Sequence, residues 1–77
     1  MKTFVTDKKS KYVEAFQRDG KYILKIYTKK VAIMHKKGYK AWGEEYWDSF
    51  EKAFDTPEQA NRYFLGIKKN NPTLKAM

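Results

Sequence analysis

The clearest pattern along the chain is a pair of β-like runs on either side of Asp19-Gly20. A type I′ turn needs positive φ at both central residues, which Asp-Gly provides, so the dipeptide predicts a two-residue hairpin. In that register Glu14 lies opposite Lys25, a favourable cross-strand pair. The predicted pairs are Arg18–Lys21, Phe16–Ile23, Glu14–Lys25 and Tyr12–Tyr27.

Two later dipeptides suggest further turns. Lys29-Lys30 is predicted to turn the chain so that Ile33 lies opposite Ile26, although lysine is a poor turn former. Lys37-Gly38 is predicted to turn it again and to place Trp42 opposite Ile33. The spacing of about ten residues between turns predicts an antiparallel meander of three or four strands over residues 11–43.

The meander would have two different faces. Face one is apolar and is the predicted core side, with Val13, Ala15, Leu24, Ile26, Val31, Ile33 and Trp42. Face two mixes large apolar or aromatic residues with cations: Tyr12, Phe16, Ile23, Tyr27 and Met34 beside Arg18, Lys21, Lys25 and Lys36.

Residues 44–54 allow two interpretations. Their apolar residues fall on one side of a 3.6-residue helical wheel and their charged residues on the other, which favours an amphipathic helix. Tyr46, Phe50 and Phe54 also share the parity of a strand, but Asp48 and Lys52 would then interrupt its apolar face. The pattern therefore predicts a helix over residues 44–54 in preference to a strand.

A second helix is predicted to begin at Thr56. Thr56 can cap it, Pro57 suits its first turn and Gln59 can complete a capping box. It should end near Lys69, before Asn70-Asn71-Pro72, and a frayed tail is expected over residues 70–77. The predicted fold is therefore α+β and a single domain over residues 1–77, with the sheet at 11–43 and the helical part at 44–69.

Composition and charge narrow the function. The chain has 77 residues, no cysteine, 17% aromatic residues and a net charge of +8. Its aromatic content argues against disorder, and the absence of cysteine excludes disulfides and thiolate metal sites. Residues 1–40 contain 12 basic and 3 acidic side chains, so the positive charge is concentrated in the first half. Such asymmetry indicates a polyanionic partner.

Face two is the predicted nucleic-acid site. Rings on a sheet can stack on unpaired bases while neighbouring cations neutralise phosphates. The candidate residues are Tyr12, Phe16, Arg18, Lys21, Lys25, Tyr27, Lys29, Lys30 and Lys36. Two alternatives would cover this face: residues 1–10 as an extra strand, or the acidic helix at 44–54.

A protein partner is the alternative function, since tyrosine and tryptophan are frequent interface anchors. The candidate residues for that interface are Tyr39, Glu44, Glu45, Trp47 and Asp48. The composition, though no specific motif, resembles that of many small phage-encoded proteins, which often act by binding a host factor. The alternative function is therefore a small phage-type regulator or inhibitor that binds a host protein.

Catalysis is the least favoured class. His35 is the one histidine, predicted on the core side of the third strand opposite Leu24 and Lys40, and no motif supports it as an acid–base catalyst. No metal or cofactor is expected, because the acidic run lacks the order of an EF-hand loop and the glycines form no phosphate loop. Neither a signal peptide nor a membrane span is recognised, so a cytoplasmic protein is expected.

Overall fold

Five antiparallel strands and one helix make up the protein in the computed structural model, which describes residues 1–77. The predicted α+β class, an antiparallel sheet packed on a C-terminal helix, is confirmed, with five strands in the order β4-β3-β2-β1-β5. The elements are β1 (Lys2–Val5), β2 (Lys11–Arg18), β3 (Lys21–Met34), β4 (Trp42–Phe54), α1 (Pro57–Asn70) and β5 (Lys75–Ala76).

The hairpin at Asp19-Gly20 joins β2 to β3 as predicted. Asp19 has φ of 53° and Gly20 has φ of 75°, the positive values that a type I′ turn requires. All the predicted pairs are present, including Glu14 with Lys25. The turn chemistry therefore determined the register of the two central strands.

The predicted turn at Lys29-Lys30 is wrong. β3 runs straight through both lysines to Met34, because β4 pairs with it along this whole length and supplies a continuous backbone partner. Neither lysine adopts positive φ. The next turn does lie near Gly38, which has φ of 85°, but its register is shifted by one residue, so that Trp42 lies opposite Met34 rather than Ile33.

The preferred helix over residues 44–54 is also wrong, and the alternative strand is correct. These residues belong to β4, the edge strand of the sheet. Asp48 and Lys52 do not interrupt a core, because β4 is exposed almost throughout and its charged side chains reach water or ion-pair partners. The backbone pairing with β3 outweighs the helical pattern of the side chains.

Continuity of β3 changes the composition of the two faces. Val31 and Ile33, predicted on face one, share the parity of Ile23 and lie on face two, whereas Met34 moves to face one.

Helix α1 packs on face one, and the core lies between the helix and this face. The core consists of Val13, Leu24, Ile26 and Leu74, packed against Phe4, Ala15, Phe54, Tyr63, Phe64 and Ile67.

Helix α1 begins and ends close to the predicted positions. The Gln59 N–H donates to the Thr56 hydroxyl at 3.3 Å, and the Thr56 N–H donates to the Gln59 side chain at 3.4 Å, which completes the capping box. The rings of Phe4 and Phe64 lie 4.6 Å apart, and those of Phe54 and Tyr63 lie 5.4 Å apart. These contacts fix the helix across the sheet.

Both ends of the chain are held more firmly than the sequence indicates. β1 pairs with β2 at the side of the sheet, so residues 1–10 do not cover face two. The tail does not fray throughout: β5 pairs with β1, and Leu74 is 1% exposed.

The distal part of the β3–β4 hairpin extends beyond the rest of the sheet. β2 begins at Lys11, which pairs with Thr28, and it does not extend further along β3. Residues 29–47 therefore form a two-stranded ribbon, which we call the arm. The molecule measures 54 × 26 × 18 Å along its principal axes, which reflects this extension.

Candidate nucleic-acid interface

Three rings meet on face two, near the base of the arm. Tyr12 of β2 lies directly opposite Tyr27 of β3, and Trp47 of β4 lies diagonal to Tyr27. The Tyr12 and Trp47 rings contact each other edge to face, with their centres 5.5 Å apart. Together with Thr3 and Glu14 they line a shallow depression of about 490 Å³. We call these three residues the ring cluster.

No helix or strand packs over the ring cluster, because α1 occupies face one. Trp47 was not predicted as a member of the ring cluster, since its sequence pattern favoured a helix. The strand parity that Tyr46, Phe50 and Phe54 share was the signal that could have found it.

Two cations lie against these rings. The Lys25 ammonium stands 5.2 Å from the centre of the Tyr27 ring, and the Lys29 ammonium stands 5.4 Å from the centre of the Trp47 ring. The Tyr27 side chain raises the pKa of Lys25 above its usual value. Lys25 therefore keeps its charge at neutral pH, and both ammonium groups lie against flat aromatic surfaces.

Acidic residues neutralise much of the predicted positive face. Because residues 44–54 form a strand, Glu45 and Glu51 lie on face two, where Glu45 pairs with Lys29 at 3.5 Å and Glu51 pairs with Arg18 at 2.6 Å. Lys21 forms an ion pair with Asp55. The hydrogen bond from Arg18 lowers the pKa of Glu51.

Five of the nine predicted residues lie away from the ring cluster, and two of them, Arg18 and Lys21, pair beside the turn between β2 and β3. Lys30 is on face one, where it pairs with Asp48 at 2.9 Å. Lys36 lies in the loop after β3, with its ammonium 5.2 Å from the Tyr39 ring. Phe16 is on face two but pairs with Ile23 near the opposite end of the strands, below Arg18 at 5.7 Å.

The loop at the end of the arm carries the densest uncompensated charge. Residues 35–41 contain Lys36, Lys37 and Lys40, no acid lies between Met34 and Glu44, and every residue of the loop is exposed. None of the three lysines forms an ion pair. Lys37 and Lys40 were not predicted as site residues, although the acid-free run in the sequence pointed to them.

Large apolar side chains are exposed on both faces of the arm. Tyr39 is 68% exposed and Ile33 is 63% exposed. The full set on the arm is Val31, Ile33, Met34, Tyr39, Trp42, Tyr46 and Trp47.

The residues predicted for a protein interface all lie on this arm or at its base. Tyr39 and Trp47 are open to solvent, and the Trp42 indole N–H donates to Glu44 at 3.1 Å. Glu45 and Asp48 are held in the ion pairs described above. A role in protein binding stays a prediction.

His35 lies in the exposed loop after β3, not on the core side opposite Leu24 as predicted, because β3 continues past the expected turn.

Comparison with known proteins finds no matching family model, no matching curated protein and no matching solved structure. Helix α1 lacks the length and apolar character needed to cross a membrane.

Proposed function

We propose that the protein binds nucleic acid without catalysing a reaction, and that it does so in the cytoplasm. The observation that carries the proposal is the acid-free loop of Lys36, Lys37 and Lys40 at the end of the projecting arm. The ring cluster at the base of the arm supplies a second contact surface.

The arm suits a phosphate backbone for electrostatic and geometric reasons. Neutralisation of phosphates by lysine releases condensed counterions and supplies most of the sequence-independent affinity. A two-stranded β-ribbon is also narrow enough to enter the major groove of B-DNA. Lysine carries less bidentate specificity than arginine, so weak sequence selectivity is expected.

The ring cluster favours a single-stranded ligand over a duplex. Tyr12, Tyr27 and Trp47 offer flat surfaces on which unpaired bases can stack, each stack contributing about 1–3 kcal/mol. The neighbouring Lys25 and Lys29 offer cations for the flanking phosphates. On face two Arg18, Lys21 and Lys29 are already held in ion pairs with acidic residues, so we assign base stacking to this face and most phosphate contacts to the loop.

The test is the salt dependence of binding to fluorescent single-stranded and duplex oligonucleotides. The triple variant Lys36→Gln, Lys37→Gln, Lys40→Gln should bind more weakly, and its log–log salt slope should fall in magnitude by about 2–3. The matched control removes the same charge from the body, as Lys8→Gln, Lys9→Gln, Lys69→Gln, and should change both quantities much less. Equal losses in the two variants would contradict a site at the loop.

Binding to a host protein is the second candidate function, and the exposed apolar side chains of the arm favour it. An interface anchored on Trp47 or Tyr39 should depend little on salt. A co-purified protein that survives nuclease and high salt, and that is lost in Tyr39→Ser, would favour this candidate over nucleic acid.

A further inference from the structure

The outer edge of β4 is unpaired over the full length of the strand. β4 is the terminal strand of the sheet and has 13 residues, about twice the common length. Alternate backbone N–H and C=O groups along it point away from β3. A long open edge of this kind is a template for adding another strand.

The side chains of β4 on face one repeat in a regular order. Aromatic residues alternate with charged residues along this face: Trp42, Glu44, Tyr46, Asp48, Phe50, Lys52 and Phe54. Phe50 is half exposed, as are Tyr46 and, to a lesser degree, Trp42. The order is nearly the same when it is read in either direction from Asp48.

We propose that two copies of the chain associate through β4, with the strands antiparallel and Asp48 on the two-fold axis. This register pairs all 13 residues of the strand, because Trp42 then lies opposite Phe54 of the second copy. It also places Tyr46 opposite Phe50 and Glu44 opposite Lys52, so that rings meet rings and an acid meets a lysine. Such pairs stabilise antiparallel strands.

The like charges that this register brings together are already compensated within each copy. Asp48 would face Asp48 of the second copy, but each is paired with its own Lys30 at 2.9 Å. Glu51 would face Glu45 of the second copy, but Glu51 accepts a hydrogen bond from its own Arg18. A second copy is therefore complementary to this edge in both charge and shape of side chain.

The association would also give the arm a surface to pack on. A groove of about 790 Å³ runs between β4 and α1, lined in part by Phe54, Tyr63 and Ile67. The arm of the second copy, which carries Trp42, would lie at the mouth of this groove. On face two, Trp47 would stand diagonal to Trp47 of the second copy, so that the two ring clusters form one continuous surface.

Cysteine cross-linking tests the register directly, because the natural chain has no cysteine. Residues directly opposite on antiparallel strands have Cα atoms about 4.5–5.5 Å apart, within the range that a disulfide spans. Asp48→Cys should therefore form a covalent dimer under mild oxidation. In the control variant Lys52→Cys the two cysteines of a dimer would lie about 27 Å apart, at ~3.4 Å per residue, and should not form a disulfide. Cross-linking of Phe50→Cys in place of Asp48→Cys would overturn the register.

A charge exchange tests the pairing in a second, independent way. In one chain Glu44 and Lys52 lie far apart on the same strand, so they can meet only between copies. Glu44→Lys or Lys52→Glu alone should raise the dimer dissociation constant about tenfold in sedimentation experiments, and the double exchange should restore it. Monomeric behaviour of the unmodified protein up to millimolar concentration, or no recovery in the double variant, would overturn the proposal. Neither test involves nucleic acid, so the outcome is separate from that of the proposed function.

Discussion

At the scale of single residues, Leu74 contributes to the core from a segment that the sequence marks as loose. Its side chain packs with Val13, Leu24 and Ile26, and its carbonyl accepts a hydrogen bond from the Lys68 ammonium at 2.7 Å. One isolated apolar residue in a polar tail produces no periodicity, so no pattern could reveal this contact. Its burial depends on the docking of the tail beneath the helix.

Leu74→Ala should lower the free energy of unfolding by about 2–5 kcal/mol, because it opens a cavity among fully buried aliphatic side chains. Urea denaturation at neutral pH measures the change. The matched control is Leu65→Ala: Leu65 lies on α1, is 54% exposed and should change the free energy by less than about 0.5 kcal/mol. Equal effects at the two sites would show that the tail does not complete the core.

At the scale of elements, the sequence predicted structure best where local chemistry decides it. Asp19-Gly20 determines its own turn and therefore the register of β2 and β3, and Thr56 with Gln59 determines the start of the helix. β4 escaped prediction because a repeat of four residues in Tyr46, Phe50 and Phe54 fits both a helix and one face of a strand. Pairing with β3 decides that these residues form a strand. The sequence alone therefore could not show that Glu45 and Glu51 lie on face two.

The ion pairs of β4 should make its attachment sensitive to acid. Hydrogen bonds from Arg18 and Lys30 lower the pKa values of Glu51 and Asp48 in the folded protein. A lowered folded-state pKa stabilises the fold above the unfolded-state value, about 4 for these carboxyls, and this contribution disappears as the pH falls through the folded-state pKa. Urea midpoints should therefore decline between about pH 5 and pH 3.

Glu51→Gln is the variant that isolates this effect, since it removes the titrating group and keeps the shape of the side chain. Its urea midpoint should fall less steeply with acid than that of the unmodified protein. Glu58→Gln, on the first turn of α1 and outside every ion pair, serves as the control and should keep the original slope. Parallel curves for all three proteins would contradict a stabilising role for the Arg18–Glu51 pair.

At the scale of the whole molecule, the buried core and most of the proposed binding surface lie in different parts. The buried residues lie in β2, in β3, in the loop between β1 and β2 and in the tail, and none lies in the arm at residues 29–47. The arm instead carries the lysine loop and most of the exposed aromatic residues. An isolated two-stranded ribbon is marginally stable in water, so the arm is held by its continuity with β3 and β4 and is available for partners.

Excision of residues 30–46 should therefore separate binding from folding. Lys29 lies opposite Trp47, so an Asn-Gly turn can join these two residues without changing the register of the body. The shortened protein should unfold cooperatively with a free energy within about 1 kcal/mol of the original, because no core contact is lost. It should also lose most of its affinity for oligonucleotides and sediment as a monomer, since the lysine loop and half of the β4 edge are gone.

Removal of residues 73–77 provides the opposite control. It deletes far fewer residues but takes Leu74 from the core, and it should destabilise the fold while leaving the arm intact. Unfolding of the arm-deleted protein would show that the arm contributes to the core after all.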